Sequence, residues 1–290
     1  MSTATNLHQV SRKGAAAATG GQPILTVDHV VKSFETPQGK VTAVDDMSLD
    51  VRQGEFVSVI GPSGCGKSTL FNMIGGLLSI TEGEIAVAGE RVNGPHPSIG
   101  MVFQEESTFP WRTVEENVAF PLEIQGVGKA ERLERAQHFI KLVGLQGFEK
   151  RFPAELSGGM RQRVAIARTL AFQPKLLLMD EPFAALDEQT RLLLGDKVTQ
   201  IQQELNQTVV LITHNITEAV QLSDRILIMT YRPGRTKRII DIDLPRPRTS
   251  EIVGSDAFGR YVAEIWNDLR EEASQGMQDE EALAQQRKRP

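Results

Sequence analysis

The stretch Gly61-Pro62-Ser63-Gly64-Cys65-Gly66-Lys67-Ser68-Thr69 decides the fold. It matches the phosphate-binding pattern G-x-x-x-x-G-K-[ST], with Gly61, Gly66, Lys67 and Ser68 at the fixed positions. Wrapping a polyphosphate in backbone N–H groups requires turns where side chains would collide, and glycine permits them. The helix that follows offers unpaired N–H donors and a partial positive charge. Lys67 adds a full charge, and Ser68 a hydroxyl suited to Mg²⁺. Glu55–Ile60 ahead of the loop reads as a buried strand, and Leu70, Ile74 and Leu77 behind it fall at helical spacing.

Outward from this loop, the chain of 290 residues has room for one large α/β domain with a subdomain and tails. Composition is that of a soluble globular protein, 40% hydrophobic and 24% charged. A net charge of −5 argues against a general nucleic-acid binder, and no nucleic-acid partner is expected. No apolar run approaches the ~20 residues that span a bilayer. Residues 1–22 lack a hydrophobic signal core and read as a disordered leader. The single cysteine, Cys65, cannot form an internal disulfide and fits a reducing compartment.

Alternation over Ile24–Val51, broken at Pro37, Gln38 and Gly39, predicts antiparallel strands joined by a turn. Phe34 closes the first run and could stack on a base or simply pack. Gly83–Gly89 and Ser98–Gln104 read as further strands, with Phe103 among the apolar positions of the second and Gln104 opening the next loop. From Thr113 to about Ala171 the pattern is helical. Thr113 and Glu116 form a capping box, Leu133, Ala136, Ile140 and Val143 mark a second helix, and Ser157-Gly158-Gly159 starts a third. Then Lys175–Asp180, Thr208–Thr213 and Arg225–Met229 read as buried parallel strands, with helices around Thr190–Leu205 and Ile216–Leu222 between them. The alternation implies a doubly wound sheet whose loops after Ile60, Phe103, Asp180 and Thr213 gather on one edge. Phe258, Tyr261, Val262, Ile265 and Leu269 make the stripe of a terminal helix, either docked on the domain or facing a partner, and Gln275–Pro290 reads as a charged, frayed tail.

Asp180 and Glu181 end an apolar strand. An acid there can hold Mg²⁺, and its neighbour can polarise an attacking water. His214 and Gln104 each end a strand on the same edge, where a histidine can hydrogen-bond a γ-phosphate or orient the acid and an amide can touch Mg²⁺ or the attacking water. Leu156-Ser157-Gly158-Gly159-Met160 offers a second anion site at a helix start. One nucleotide has no use for both from one molecule.

These motifs, in this order, resemble the ATP-binding cassette (ABC) transporter ATPases over about Leu25 to Ile240. The resemblance implies a P-loop α/β cassette over 23–245, with an antiparallel β subdomain, a helical subdomain inserted at about 113–171, and a C-terminal helix and tail over 246–290. It implies ATP and Mg²⁺ as cofactors. It casts Gly61–Thr69 (Gly61, Pro62, Ser63, Gly64, Cys65, Gly66, Lys67, Ser68, Thr69) as Walker A and Gln104 as the Q-loop. Ser157, Gly158, Gly159 and Met160 fall in the signature, Asp180 ends Walker B with Glu181 following, Asp187 lies in the D-loop and His214 is the switch. Phe34 takes the adenine-stacking position. Two residues depart from the commonest pattern: Met160 replaces glutamine and Asn215 replaces aspartate, with little expected effect.

The family resemblance further implies two cassettes, identical or not, facing head to tail with each ATP between Walker A of one and the signature of the other. With no membrane segment read in this chain, the permease is expected as a separate chain that docks near Phe109-Pro110-Trp111. The chain is thus expected at the cytoplasmic face of the inner membrane, in a system with a periplasmic solute-binding protein. Met229–Arg235 and Asp243–Arg248 resemble the nitrate/sulfonate/taurine branch of importers. Importers of an unrelated solute, a soluble cassette acting on DNA or the ribosome, and a metabolic kinase are the alternatives; the soluble cassettes usually carry coiled coils, zinc insertions or tandem cassettes that are not read here, and a kinase has no use for the signature or for Gln104 in its place. Cys65, beside the phosphate site at a helix N-terminus, is expected to be attacked by thiol reagents with loss of ATPase activity.

Overall fold

The computed structural model describes residues 23–37, 39–104, 107–184 and 186–287. The expected leader, together with Gln38, Glu105, Glu106, Ala185 and residues 288–290, lies outside them.

Alternating apolar residues build the first sheet. Leu25, Val27 and Val30 of β1 (Leu25–Thr36) are buried on one face, and β1 pairs antiparallel with β2 (Gly39–Val51) from Leu25↔Val51 to Thr36↔Gly39. On its other side β1 pairs with β4 (Glu82–Val87), which pairs with the two-residue β5 (Glu90–Arg91). The buried face of this sheet shares a core with α1 (Lys67–Ile74).

Continuous apolar runs build the second sheet, as expected of strands covered on both faces. Every residue of β3 (Phe56–Ile60) and β8 (Thr208–Ile212) is buried. The strand order is β10-β9-β3-β8-β7-β6, adding β6 (Ile99–Val102), β7 (Leu176–Asp180), β9 (Arg225–Met229) and β10 (Thr236–Asp241). The four inner pairings from β9 to β6 are parallel, and β10 joins the edge antiparallel. Register matters here. Val59 pairs with Ile212, and Ile212 with Asp180, so β3, β8 and β7 end level. The residues just past them, including Gly61, Thr213 and Glu181, therefore share one edge, where open α/β sheets bind ligands.

The helical block inserts between β6 and β7. Its α2 (Val114–Ile124) starts at the expected capping box: Thr113 N donates to Glu116 Oε2 at 2.9 Å and Glu116 N to Thr113 Oγ1 at 3.3 Å. With α3 (Lys129–Leu142) and α4 (Gly158–Ala171) it forms a core continuous with one face of the parallel sheet. After β7, α5 (Glu188–Leu205) and α6 (Ile216–Leu222) cover the sheet. The last helix, α7 (Asp256–Arg287), buries Phe258 and Ile265 against α6, β9 and β10.

Several expectations need correction. α1 ends at Ile74, so Leu77 is not on its face; the chain leaves through Gly75 and Gly76 and exposes Leu77. β6 ends at Val102, leaving Phe103 half-exposed and edge-on to Phe71 at 5.8 Å. β5 and β10 are edge strands without an apolar alternation to mark them: both residues of β5 are charged, and β10 carries Lys237, Arg238 and Asp241 around a single Ile-Ile pair. The terminal helix does not fray at Gln275; it continues to Arg287.

Candidate functional site

Between β3 and α1 the loop turns under β2. Gly66 has φ 105°, and a Cβ there would lie 2.8 Å from Ala43 O, so both the backbone angle and the close approach call for glycine. Lys67 Nζ donates to Gly61 O at 2.8 Å and Pro62 O at 2.9 Å, which holds the ammonium over the loop. A cavity of about 510 Å³ opens here. Ser63, Gly64, Gly66, Lys67, Ser68 and Thr69 line it, with Val41–Ala43 from β2, Glu181 and Arg232. Cys65 faces the other way. Its side chain is fully buried, close under Gly61, and burial pushes its thiol up from the ordinary value. That overturns the expectation of a reactive cysteine, since the attacking species is the exposed thiolate.

The Ser68 side chain lies close enough to Asp180 to pull its pKa down, while Asp180 Oδ1 is buried with no protein partner. Burial first, then the Glu181 charge, raises its pKa against that pull. An unpaired buried carboxylate oxygen beside a serine hydroxyl is a donor set that fits a hard, oxygen-seeking cation such as Mg²⁺.

Glu181 adopts φ 43°, a left-handed conformation rare outside glycine and asparagine. Its N–H donates to Ile212 O at 2.8 Å, extending the ladder to β8 by one step. The kink points the carboxylate toward the cavity, where Oε1 lies 3.0 Å from His214 Nδ1. The Glu181 side chain is 18% exposed and that of His214 60%. His214 is followed by Asn215, which caps α6 through Glu218 N at 3.0 Å, so the amide serves where an aspartate would.

Phe34 does not line the cavity. It stands directly across from Val41, which does, with Lys32 Nζ 5.0 Å from its ring centroid. Gln104 lies exposed just past β6. Ser157 caps α4, accepting from Met160 N at 3.3 Å; the hydroxyl keeps its own proton to donate to an anion. Gly159 is close-packed, for a Cβ there would sit 3.3 Å from Thr190 Cγ2 and 3.5 Å from Leu186. Asp187 caps α5 through Thr190 N at 3.0 Å, and the amides it accepts from hold its carboxyl below the usual range. The structure thus brings the loop, Asp180, Glu181 and His214 together, while neither Ser157–Met160 nor Asp187 lines their cavity.

The Phe109 loop is pinned to the helical block by a buried amide. Phe109 N donates to Asn117 Oδ1 at 2.8 Å, and Asn117 Nδ2 donates to three carbonyls of the Phe109–Thr113 turn. Arg168 of α4 donates to Ser107 Oγ at 2.8 Å and lies 4.9 Å from the Phe109 centroid. Trp111 is left 71% exposed.

The sequence reading missed Glu218. It is almost wholly buried; the Thr213 hydroxyl donates to one oxygen and the other has no partner. Burial pushes its pKa up to about 7, against the pull of Thr213, Arg191 and His214. An acid three residues past a cap reads as an ordinary first-turn residue, so no signal in the sequence marks it.

Residues 44–184 match the family model described as "ABC transporter". The chain is 50% identical over 248 residues to an uncharacterised ABC transporter ATP-binding protein of Methanocaldococcus jannaschii, covering 86% of this chain and 92% of that protein. It is 44% identical over 252 residues to a nitrate import ATP-binding protein of Synechocystis, covering 85% and 95%. It superposes on a dimeric ATP-binding cassette in a post-hydrolysis state bound to ADP and Pi with a TM-score of 0.67 at 34% identity, covering 76% of this chain and all of that one. Among the described residues, no helix is long and apolar enough to cross a membrane. With the phosphate loop, the acidic strand end and the separate signature helix in place, the chain belongs to the ABC transporter ATP-binding family and is an ATPase of its importer branch.

Proposed function

We propose that this chain is the ATP-driven clamp of an importer for a small solute of the nitrate, sulfonate or taurine kind. The observation that carries the reading is the split site. A cavity with Lys67, Ser68 and Glu181 opens on one edge, and the Ser157 helix start lies outside it. A second cassette would bring the missing half to each cavity, so that ATP binding closes the pair and hydrolysis releases it.

Within each site, the loop amides and Lys67 bind the phosphates, and Phe34 stacks on adenine beside Val41. Ser68, Asp180 and Gln104 would hold Mg²⁺, which when bound would supply charge neutralisation at the phosphates. Glu181 is the general base for the attacking water, and His214 orients it through the 3.0 Å contact. Ser157, with the amides of Gly158 and Gly159, completes the anion site from the other chain, and Asp187 faces across the same interface. A separate permease docks on Phe109, Pro110 and Trp111, where a pinned loop presents an exposed indole. Arg168 ties that loop to the α4 helix that Ser157 begins, giving the two surfaces one rigid connection. The chain then works at the cytoplasmic face of the inner membrane, with a solute-binding protein outside. The nitrate import relative and the Met229–Arg235 and Asp243–Arg248 segments support the solute class.

Glu181→Gln tests the proposal. Turnover is expected to fall at least ~10²-fold, the scale of a lost general base. The purified variant with ATP and Mg²⁺ should then elute as a dimer on size exclusion. A monomer with normal turnover would refute the clamp.

A further inference from the structure

The turn between β9 and β10 is built against the back of the phosphate loop. Gly234 N donates to Ala43 O at 3.0 Å, and Asp45 N donates to Gly234 O at 3.0 Å. A Cβ on Gly234 would lie 2.1 Å from Cys65 O, so the turn and the loop are in backbone contact. Thr230 Oγ1 donates to Pro233 O at 2.8 Å, closing the turn from inside.

Arg232 sits at the tip. Its Nε donates to Gly64 O at 2.9 Å, and its guanidinium carbon lies 5.8 Å from the Tyr231 ring centroid. A Cβ on Gly64 would come within 2.6 Å of Arg232 Nη2, so the guanidinium lies directly on the loop. It lines the same cavity as Lys67 and Ser68. No acid pairs with it among the described residues, although Arg225, Arg235 and Arg238 nearby all have carboxylate partners. With Nε spent on the phosphate loop and no acid on its other two nitrogens, this cavity-lining arginine keeps the fork that phosphate oxygens accept.

The turn is also anchored from the far side. Tyr231 N donates to Glu272 Oε2 at 2.8 Å, Glu272 pairs with Lys237 at 3.0 Å, and Gly276 packs on the Tyr231 ring. Glu272 and Gly276 belong to α7.

We infer that Arg232 is a polyphosphate-binding residue supplied from outside the phosphate-loop motif, and that α7 sets its position through Tyr231 and Glu272. This rests on the cavity being the nucleotide site. It gives the terminal helix a route to nucleotide affinity: displacing α7 frees the turn, and with it a cation of the site.

The test is equilibrium binding of ATP, ADP and AMP to the full chain, with the apo melting temperature measured alongside. Arg232→Ala should weaken ATP and ADP about 10-fold or more, the scale of a charged hydrogen bond, and AMP less. The KM for ATP should rise with kcat little changed, and Arg232→Lys should recover part of the loss. Glu272→Ala should give a smaller loss with the same nucleotide ranking. Unchanged ATP and ADP affinity in Arg232→Ala would overturn the inference. So would an equal loss for all three nucleotides with a lowered melting temperature, the signature of a mere brace on Gly64. Wild-type affinity in Glu272→Ala would remove the part assigned to α7. Lys67→Ala separates the two readings: if wild type and Lys67→Ala bind ATP alike, the nucleotide site itself is misplaced, whereas a loss there without one in Arg232→Ala defeats only this inference.

Discussion

Two helix N-termini in this chain, those of α1 and α4, carry the donors proposed to meet phosphates, and they differ in what surrounds them. α1 starts inside a cavity, with Lys67, Arg232, Ser68 and the Asp180–Glu181 strand end closing around it. α4 starts in the open, with an exposed Ser157 capping Met160 N and outside the cavity of α1. The first carries the means to bind a phosphate and attack it. The second carries donors and nothing to position against them. A helix dipole alone is worth ~0.3–1 kcal/mol at an exposed terminus, too little for specific binding. On the proposed clamp, the α4 terminus gains its use when another molecule's phosphate is delivered to it.

The largest test breaks the comparison directly. Lys67→Ala disables the first terminus and Ser157→Arg the second, and each alone should lower ATPase turnover ~10²-fold or more, as loss of a charge-stabilising donor does. Mixing the two variants should restore activity, because a mixed pair holds one cavity with Lys67 facing one intact Ser157. Steady-state ATPase assays of the mixture decide it. No recovery would mean that both termini serve the same chain's nucleotide.

A smaller effect sharpens the chemistry beside the first terminus. Glu218 titrates at about 7 in the fold and near the ordinary 4.5 when unfolded. The folded chain keeps a proton that the unfolded chain loses across that window. Wild-type stability should therefore fall as pH rises from about 4.5 to about 7 and level off above. Glu218→Gln removes this dependence while keeping an acceptor for Thr213. The variant's stability relative to wild type should grow by up to roughly 3 kcal/mol between pH 4.5 and 8. Urea unfolding at both pH values checks it, and a constant offset would place the Glu218 carboxyl in an ordinary environment.

The smallest effect concerns the two sides of the phosphate loop. With its thiol in the core, Cys65 should leave Ellman's reagent nearly unreacted in the native protein at neutral pH and react fully in denaturant. Rapid native labelling with loss of ATPase activity would reinstate the exposed thiol that the motif alone suggested.

Much of this was legible in the residues because it depends on near neighbours. The strand before the loop, the capping box at Thr113 and Glu116, the Ser157 cap and the acids after β7 are set by local geometry and by periodic burial. The order of those elements further fixed which loops share an edge. Packing between distant segments decided the rest. Cys65 points inward because β2 and the Gly234 turn occupy the other side of the loop. Glu218 is buried because α6 folds toward Arg191 of α5 and the end of β8. Arg232 reaches Gly64 across 168 residues of chain. No local pattern encodes these contacts, since a charged residue looks the same in sequence whether it meets water or the phosphate loop. Its environment is chosen by the sheet order β9-β3-β8, which places the last strands of the cassette beside the first.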